Sequence, residues 1–207
     1  MNNLPLTSLL AVCSLVGGLA ACSARASDGE AAAAPDAADT RRIADFSDPQ
    51  EPERWRVMND DVMGGRSEGD AAFNDGRMTF FGDINTDGGG FSSIRRPLEP
   101  GALAGAAGVR LRVKADGRPY RVTVRDGSRI RRGEVQFRVP IDAPAAEGWQ
   151  DVAVAFADLE PMFHGDVVDA EPFNPAAAAE IGLILNDTVD GPFRLEVAWI
   201  AAVSAAR

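Results

Sequence analysis

The feature that most constrains the fold is a series of short strand-like segments, two of which, Val109–Lys114 and Tyr120–Arg125, alternate strictly between apolar and polar residues. Alternation places successive side chains on opposite faces of an extended strand, so each segment offers one face to a core and one to solvent. Turn residues such as Asp116-Gly117 separate these segments. About eight or nine strands are predicted in this way, at Trp55–Val57, Arg77–Phe81, Phe91–Arg95, Val109–Lys114, Tyr120–Arg125, Val135–Val139, Val152–Phe156, Ile181–Leu185 and Phe193–Trp199. Only Pro175–Glu180 indicates a helical turn, so the series predicts an all-β fold, an antiparallel β-sandwich or jelly roll.

The N-terminal residues have the pattern of an export signal. Leu9–Ala21 is an apolar run of about 13 residues, which is too short to span a membrane. It leads into Leu19-Ala20-Ala21-Cys22, which resembles the bacterial lipoprotein processing box, where the cysteine is lipidated and becomes the new N-terminus. Ala24-Arg25-Ala26 offers a rival cleavage site. We expect an extracytoplasmic, membrane-anchored lipoprotein, with a secreted or periplasmic protein as the alternative.

The rest of the chain divides into a polar segment and one domain. Residues 1–22 form the expected signal peptide with its lipobox, and residues 23–42 are rich in alanine and acidic residues. A segment with so few bulky apolar residues cannot offset the entropy of ordering, so it is predicted to be a disordered tether. Residues 43–207 suit a single sandwich domain, which contains no cysteine and therefore no disulfide or thiol chemistry.

Charge is distributed unevenly along the domain. The net charge of −10 argues against nucleic acid as a partner, since binding the phosphate backbone needs a basic surface. The two neighbouring strands around residues 109–125 are nonetheless basic, and alternation places Arg110, Arg112 and Lys114 on one face. Antiparallel pairing would add Arg121 and Arg125 to that face. It is interpreted either as a solvated face neutralised by the acidic C-terminal half or as a binding surface for an anionic partner or lipid headgroups.

Motifs for catalysis, cofactors and metals are nearly absent. The single histidine, His164, lies in a predicted turn, and no Gly-x-Ser-x-Gly sequence supplies a nucleophile for it. No phosphate-binding or dinucleotide-binding motif is present, so no catalytic residue and no cofactor is predicted. Asp83, Asn85, Asp87 and Gly88 have the spacing that opens a calcium loop, but Ile94 stands where the bidentate glutamate belongs. A glycine-rich connector is favoured over a calcium site, and no metal is predicted.

The stretch Trp55–Ser67 carries a sequence signature. Its residues Trp55-x-Val57-x-Asn59-Asp60-x-Val62-Met63-Gly64-Gly65-x-Ser67 resemble the opening of complex I intermediate-associated protein 30 domains. Further blocks of that family resemble the motifs Gly89-Gly90-Phe91-Ser92-Ser93-x-Arg95, Asp116-Gly117-Arg118-x-Tyr120, Trp149, Phe163-x-Gly165 and Gly191-Pro192-Phe193-x-Leu195. The resemblance implies a galactose-binding-like β-sandwich and a non-enzymatic, chaperone-like assembly factor for respiratory NADH:ubiquinone oxidoreductase.

The same stretch supplies the candidate binding residues. Asn59-Asp60-Asp61 and Gly64-Gly65 are turn signals, so Val62 and Met63 are predicted to lie in a loop. We expect this loop to adjoin the Gly89-Gly90-Phe91 loop and to form a binding rim, because loops on rigid sandwiches commonly carry function. The candidate residues are Asp60, Asp61, Met63, Gly64, Gly65, Arg66, Ser67, Gly90, Phe91 and Arg95. In the alternative interpretation, Asp60 and Asp61 cap backbone amides, Arg66 pairs with one of them, and Met63 fills a gap beneath the loop.

Two classes of ligand remain open at this point. The first is a protein partner, such as a respiratory or other membrane complex, which a lipid-anchored assembly module would bind. The second is a carbohydrate or envelope polymer, which an exposed pair of aromatic rings would favour because sugars stack on flat rings. The tryptophans Trp55, Trp149 and Trp199 all lie beside strand patterns, where burial in the core is the expected outcome.

Overall fold

The fold is all-β, as the alternation predicts. The computed structural model describes residues 40–204, so the predicted signal peptide, Cys22 and the part of the tether up to residue 39 lie outside the described residues. The strands are β1 (Thr40–Asp45), β2 (Arg56–Asn59), β3 (Glu68–Asn74), β4 (Arg77–Ile84), β5 (Ser92–Pro97), β6 (Ala106–Ala115), β7 (Arg121–Arg125), β8 (Arg129–Ile130), β9 (Gly133–Glu134), β10 (Gln136–Pro140), β11 (Gln150–Ala155), β12 (Glu160–Phe163), β13 (Asp166–Val167), β14 (Glu180–Leu185) and β15 (Gly191–Ser204).

Helical structure within residues 40–204 is confined to short 3₁₀ turns. They span Glu51–Arg54, Asp60–Met63, Phe156–Asp158 and Pro175–Ala177. The last of these confirms the helical turn predicted after Pro175, although it is shorter than predicted. None of the helical segments in this part of the chain has the length and apolar character needed to cross a membrane.

Two antiparallel sheets make up the sandwich. The six-stranded sheet has the order β11-β6-β15-β4-β3, with β1 also pairing with the long strand β15. The seven-stranded sheet has the order β13-β12-β10-β7-β14-β5-β2, and β8 and β9 form a separate hairpin. The predicted antiparallel β-sandwich is therefore confirmed.

The core lies between the inward faces of the two sheets. Alternate residues of the central strands are buried in it, as in Val109, Leu111 and Val113 of β6 and in Ile181, Leu183 and Leu185 of β14. Burial of these apolar side chains is the main favourable term that stabilises the sandwich. The period of two in the sequence thus identified most of the core correctly.

The expected pairing of the two basic strands is wrong. Strand β6 lies in the six-stranded sheet and β7 in the seven-stranded sheet, so the chain crosses between sheets at residues 116–120. Both strands still turn their apolar residues toward the same core, but they do so from opposite sides of it. Arg110, Arg112 and Lys114 are therefore on a different outer face from Arg121 and Arg125.

Two longer strands escaped the sequence prediction. Strand β1 begins at Thr40, inside the segment expected to be tether, and it pairs with the end of β15 from Trp199 to Val203. Strand β3 is weakly apolar, but its residues pair with β4 from Glu68 opposite Asp83 to Asn74 opposite Arg77. Both strands are fixed by backbone pairing with a neighbour, which local alternation does not show.

Candidate functional site

The loop after β2 is built around the buried carboxylate of Asp60. The backbone N–H and the hydroxyl of Ser67 donate hydrogen bonds to it, at 2.8 and 2.7 Å. The backbone N–H groups of Gly90 and Phe91 donate further bonds to Oδ2, at 2.5 and 3.3 Å. One fully buried side chain therefore ties the Asp60–Ser67 turn to the Gly90 loop. The predicted proximity of the two loops is confirmed.

Glycines on both loops make room for this carboxylate. A Cβ atom on Gly65 or on Gly89 would overlap the carboxylate of Asp60. Gly64 has a φ of 88°, a left-handed conformation that ends the 3₁₀ turn and that other residues resist. The Gly-Gly pairs of both motifs are thus explained by the packing of Asp60 and by turn geometry.

Hydrogen bonding keeps Asp60 charged. Burial by itself raises the pKa of a carboxyl group, because it disfavours the anion. The hydrogen bonds from Ser67, Gly90 and Phe91 outweigh burial and hold the pKa of Asp60 below its ordinary value. A buried anion satisfied by backbone amides acts as a structural anchor, so Asp60 and its buried partners Ser67 and Gly90 support the loop from inside.

The tip of the loop is exposed and apolar. Val62 and Met63 have 66% and 63% of their surface exposed. The alternative in which Met63 fills a gap beneath the loop is therefore wrong. Asp61 and Gly64 are also exposed beside this tip. We call Asp61, Val62, Met63 and Arg66 the rim.

Arg66 pairs with a residue of the neighbouring loop. Its Nη1 lies 2.7 Å from Oδ2 of Asp87, with both side chains about 70% exposed. Pairing with Asp60 or Asp61, which the alternative interpretation expected, is not what the structure shows. An ion pair this exposed adds little stability, because water and salt screen it.

Phe91 and Arg95, two further predicted binding residues, also lie off the rim. Phe91 is half-buried where the second loop enters β5. Arg95 lies further along β5, opposite Arg56 of β2 and Gly182 of β14, on the outer face of the seven-stranded sheet. The structure therefore separates Arg95 from the loop residues with which the sequence motif grouped it.

The calcium-like loop uses some of its oxygen atoms internally. Oδ1 of Asn85 accepts a hydrogen bond from the backbone N–H of Asp87 at 2.9 Å, and the carboxylate of Asp87 contacts Arg66. Asp83 belongs to strand β4 and lies opposite Glu68 and Pro192. Within residues 40–204, no group of three or more His, Cys, Asp or Glu side chains is arranged to hold a metal ion.

The first residue of the motif is a core anchor. Trp55 is 4% exposed, and its ring centroid lies 5.5 Å from that of Phe46. Its indole N–H donates to Oε1 of Glu51 at 2.9 Å. Glu51 also forms a buried ion pair with Arg96 of β5 at 2.5 Å. The predicted burial of Trp55 is correct, whereas Trp149 and Trp199 are only half-buried and Arg42 lies 3.9 Å above the ring of Trp199.

The third and last motif blocks are joined by Arg118. Its guanidinium contacts the carboxylate of Asp187 at 2.7 and 2.9 Å and donates to the backbone carbonyl of Gly191 at 2.8 Å. Asp116 accepts from the backbone N–H of Arg194 at 2.7 Å and from the hydroxyl of Tyr120 at 3.1 Å. Burial, with Asp116 nearby, raises the pKa of Tyr120. These motif residues therefore hold the crossing between the two sheets.

The outer faces of the two sheets differ in how their basic residues are paired. On the six-stranded sheet, Arg110 and Arg112 both form ion pairs with Asp151, at 3.2 and 3.0 Å. This agrees with the interpretation of Arg110 and Arg112 as a face neutralised by the acidic C-terminal half. On the seven-stranded sheet, Arg95, Arg121, Arg125 and Arg138 project outward together. The sequence analysis did not identify this second group. Arg95 and Arg138 directly follow the apolar residues Ile94 and Phe137, so the alternation of side chains could have placed both arginines on the outer face.

No catalytic arrangement forms around His164. Its side chain is exposed in a turn with a φ of 50°, and its ring stacks on Phe163 at 4.2 Å. It forms no hydrogen bond with a serine or a carboxylate among residues 40–204. Nucleophilic catalysis needs a nucleophile beside its base, and within residues 40–204 no serine donates a hydrogen bond to His164.

Comparison with known proteins supplies the family. The sequence profile of Complex I intermediate-associated protein 30 (CIA30) matches residues 44–197. The mitochondrial Complex I intermediate-associated protein 30 of Mus musculus is 27% identical over an alignment of 180 residues that covers 77% of this chain and 55% of that protein. The chain therefore spans about half the length of this curated relative.

Solved structures are similar in fold. The family 11 carbohydrate-binding module of the cellulase Lic26A-Cel5E of Clostridium thermocellum has a TM-score of 0.58 at 13% identity, covering 81% of this chain and 96% of the module. The solution structure of CtCBM11 has a TM-score of 0.60 at 14% identity, covering 84% of this chain and all of that one. At identity this low, the structural similarity shows a shared sandwich fold and nothing about the ligand. The profile match over residues 44–197 shows that this chain belongs to the Complex I intermediate-associated protein 30 (CIA30) family.

Proposed function

We propose that this protein is a non-enzymatic, chaperone-like module that binds a protein partner during assembly of a membrane complex. Membership of the Complex I intermediate-associated family supports an assembly role, with a respiratory complex as the partner. Because the chain spans about half of its mouse relative, the identity of that complex is part of the proposal. Export and lipid anchoring through Cys22 belong to it too, supported by the sequence of residues 9–22.

The observation that carries the proposal is the exposed apolar tip of the rim. Val62 and Met63 are adjacent, and about two thirds of each side chain is exposed. The turn that presents them is fixed from below by Asp60, so little conformational entropy is lost when a partner covers them. Methionine and arginine are enriched at protein interfaces, and Arg66 lies beside the tip. A rigid apolar tip with an adjacent cation suits recognition of another protein.

The test is recovery of crosslinked partners from native membranes by mass spectrometry. We expect Met63→Ser and Arg66→Ala to unfold at the temperature of the wild type and to lose the partners that the wild type recovers. Val167→Ser is the matched control, because Val167 is 65% exposed at the far edge of the seven-stranded sheet. The proposal fails if both rim variants keep every partner, or if both unfold early and the rim proves to be scaffolding.

A carbohydrate- or polymer-binding module is the second candidate. It is favoured by the shared fold with family 11 carbohydrate-binding modules. Of the phenylalanine, tyrosine and tryptophan residues between 40 and 204, Phe81 alone is exposed, with 36% of the residue's surface accessible. Affinity electrophoresis in a β-glucan gel separates the two candidates: retardation of the wild type that disappears in Phe81→Ala favours the sugar ligand, and unretarded migration favours the protein partner.

The anchoring step has its own measurement. Mass spectrometry of the mature N-terminus is expected to find an acylated Cys22. A mature chain that begins at Ser27 without acyl groups would replace the lipoprotein with a secreted or periplasmic protein.

A further inference from the structure

The outer face of the seven-stranded sheet brings together arginines that are far apart in the sequence. Ile94, Val122, Val124, Phe137 and Val139 belong to the core, so the alternate residues of β5, β7 and β10 point outward. These outward residues include Arg95, Arg121, Arg125 and Arg138, which we call the arginine face. Strand pairing aligns Arg95 with Gly182, Gly182 with Thr123, and Thr123 with Arg138, so the row runs across four neighbouring strands.

Small residues let the arginine side chains lie close to the sheet. A Cβ on Gly182 would come within 2.9 Å of Cγ of Arg95, so the stem of Arg95 lies across that glycine. Thr123, between Gly182 and Arg138, is 1% exposed. The guanidinium groups are therefore partly withdrawn from water and close to one another. Burial first, and then the neighbouring arginines, lower the pKa of Arg138 to about 10.

Among residues 40–204, ion pairs on this face form only with Arg125, although Glu180 and Glu134 also act on Arg95 at longer range and Glu160 lies opposite Arg138. Arg125 pairs with Glu134 at 3.1 Å and with Glu180 at 3.4 Å. Arg121 and Arg138 contact only neutral oxygens, of Asn186 at 2.8 Å and of Gln136 at 2.7 Å. Arg95, Arg121 and Arg138 have no ion-pair partner among residues 40–204. This contrasts with Arg110 and Arg112 on the other sheet, which share Asp151.

Buried donors on the same face also lack acceptors. In the part of the chain that the structure describes, Nε of Arg95 and Nε2 of Gln136 are buried without a hydrogen-bond partner, as are Nε of Arg125 and Oε1 of Glu180, which lie 3.4 Å apart. Buried polar groups are usually satisfied, and each one left unpaired costs free energy. Unpaired donors beside unneutralised cations indicate that the face is completed by a ligand rich in anionic oxygen atoms.

The chemistry of the face favours a polypeptide ligand. The guanidinium fork matches a carboxylate with two parallel hydrogen bonds. The outward positions of β2, β5, β14, β7 and β10 contain no aromatic ring on which a sugar could stack. Met58, at the β2 edge of this face, is 40% exposed and offers an apolar contact. Arginine beside methionine is typical of protein interfaces.

We propose that the arginine face binds an acidic segment of a protein partner, with Arg95 and Arg138 donating hydrogen bonds to its carboxylates. This inference deepens the proposed function and rests on it, since it assigns a second contact surface and a chemical class to the same partner. Because the whole chain carries a charge of −10, attraction of an acidic segment is confined to short range, and added salt weakens it.

The test is binding of a fluorescent octaglutamate peptide to the purified protein, followed by anisotropy at low and at physiological salt. We expect the Arg95→Gln, Arg138→Gln double variant to bind at least about tenfold more weakly than the wild type. Arg112→Gln, which removes one positive charge from the other sheet, is expected to bind like the wild type. Thermal unfolding checks that the variants are folded. If the double variant fails to fold, Arg138→Lys replaces it. Lysine keeps the positive charge but lacks the planar guanidinium fork, so this variant is also expected to bind more weakly than the wild type.

Several outcomes would overturn the inference. They are no binding by the wild type, equal binding by the double variant, or an equal loss in Arg112→Gln. Binding of alginate without binding of octaglutamate would replace the acidic segment with an acidic polysaccharide. Crosslinking with the double variant separates this inference from the proposed function. If the double variant recovers the same protein partners as the wild type, the inference alone fails; if the wild type recovers none, the proposed function fails.

Discussion

Asp60 and Ser67 are joined by two hydrogen bonds that close the loop between them. The backbone N–H of Ser67 donates to Oδ1 at 2.8 Å, and its hydroxyl donates to Oδ2 at 2.7 Å. The same hydroxyl accepts from the backbone N–H of Asn85 at 3.1 Å. The exposed Met63 therefore sits on a turn whose base is fixed to both the neighbouring loop and the sheet.

Replacing Asp60 with asparagine is expected to lower the stability of the folded protein. The amide would leave backbone donors of Ser67, Gly90 or Phe91 unsatisfied, at about 1–3 kcal/mol for each buried group. We therefore expect the free energy of unfolding to fall by at least about 2 kcal/mol, measured by chemical denaturation. Asp61→Asn, which changes an exposed neighbour, is the control and should leave stability nearly unchanged. Equal stability of the two variants would contradict the role assigned to Asp60.

Stability is expected to fall in acid because of the same carboxylate. The pKa of Asp60 in the folded protein lies below its ordinary value of 3.8. A group with a lowered pKa in the folded state stabilises the protein fully above its unfolded pKa, and that contribution is lost as pH falls through the folded pKa. The loss therefore occurs below about pH 4. Denaturation at pH 7 and pH 3 should show a smaller acid loss in Asp60→Asn than in the wild type; the same loss in both would assign acid unfolding to other carboxyl groups.

Trp55→Ala is expected to be among the most damaging single changes. The buried indole packs against Phe46 and donates to Glu51, which itself holds the buried Arg96. Removing it should lower the free energy of unfolding by about 3–5 kcal/mol. Trp55→Phe keeps a ring in the core but loses the N–H donor, so we expect a smaller loss. A cost below about 1 kcal/mol for the alanine variant would contradict the anchoring role.

Calcium is expected to leave the melting temperature unchanged. The Asp83 loop lacks the bidentate glutamate at its twelfth position, and Asp87 contacts Arg66. A ligand that binds the native state must raise its stability, so differential scanning fluorimetry with about millimolar calcium provides the test. A clear rise in melting temperature that is absent in Asp83→Ala would show a calcium site.

The family motifs are explained chiefly by tertiary contacts. Asp60 binds amides of the second motif, and Arg118 of the third motif binds Asp187 and the carbonyl of Gly191. The sequence predicted that the first two blocks adjoin, but it did not show which atoms join them or that Arg118 connects the third block to the last. The candidate site was therefore predicted in part: the loop and its exposed Met63 were located, whereas Asp60 and Ser67 proved to be supports and Arg95 belongs to another surface.

The sequence by itself determined the strands and the core, because alternation of side chains between two faces is a local property of an extended chain. Val109, Leu111 and Val113 could be assigned to the core without knowledge of any partner strand. Only the tertiary structure decided which strands are neighbours, since pairing joins residues distant in sequence. That step placed β6 and β7 in different sheets, gave Arg110 and Arg112 a shared carboxylate, and aligned Arg95 with Arg138 across Gly182 and Thr123. The sequence shows which residues are charged, but strand register and sheet order decide which of these charges are neutralised.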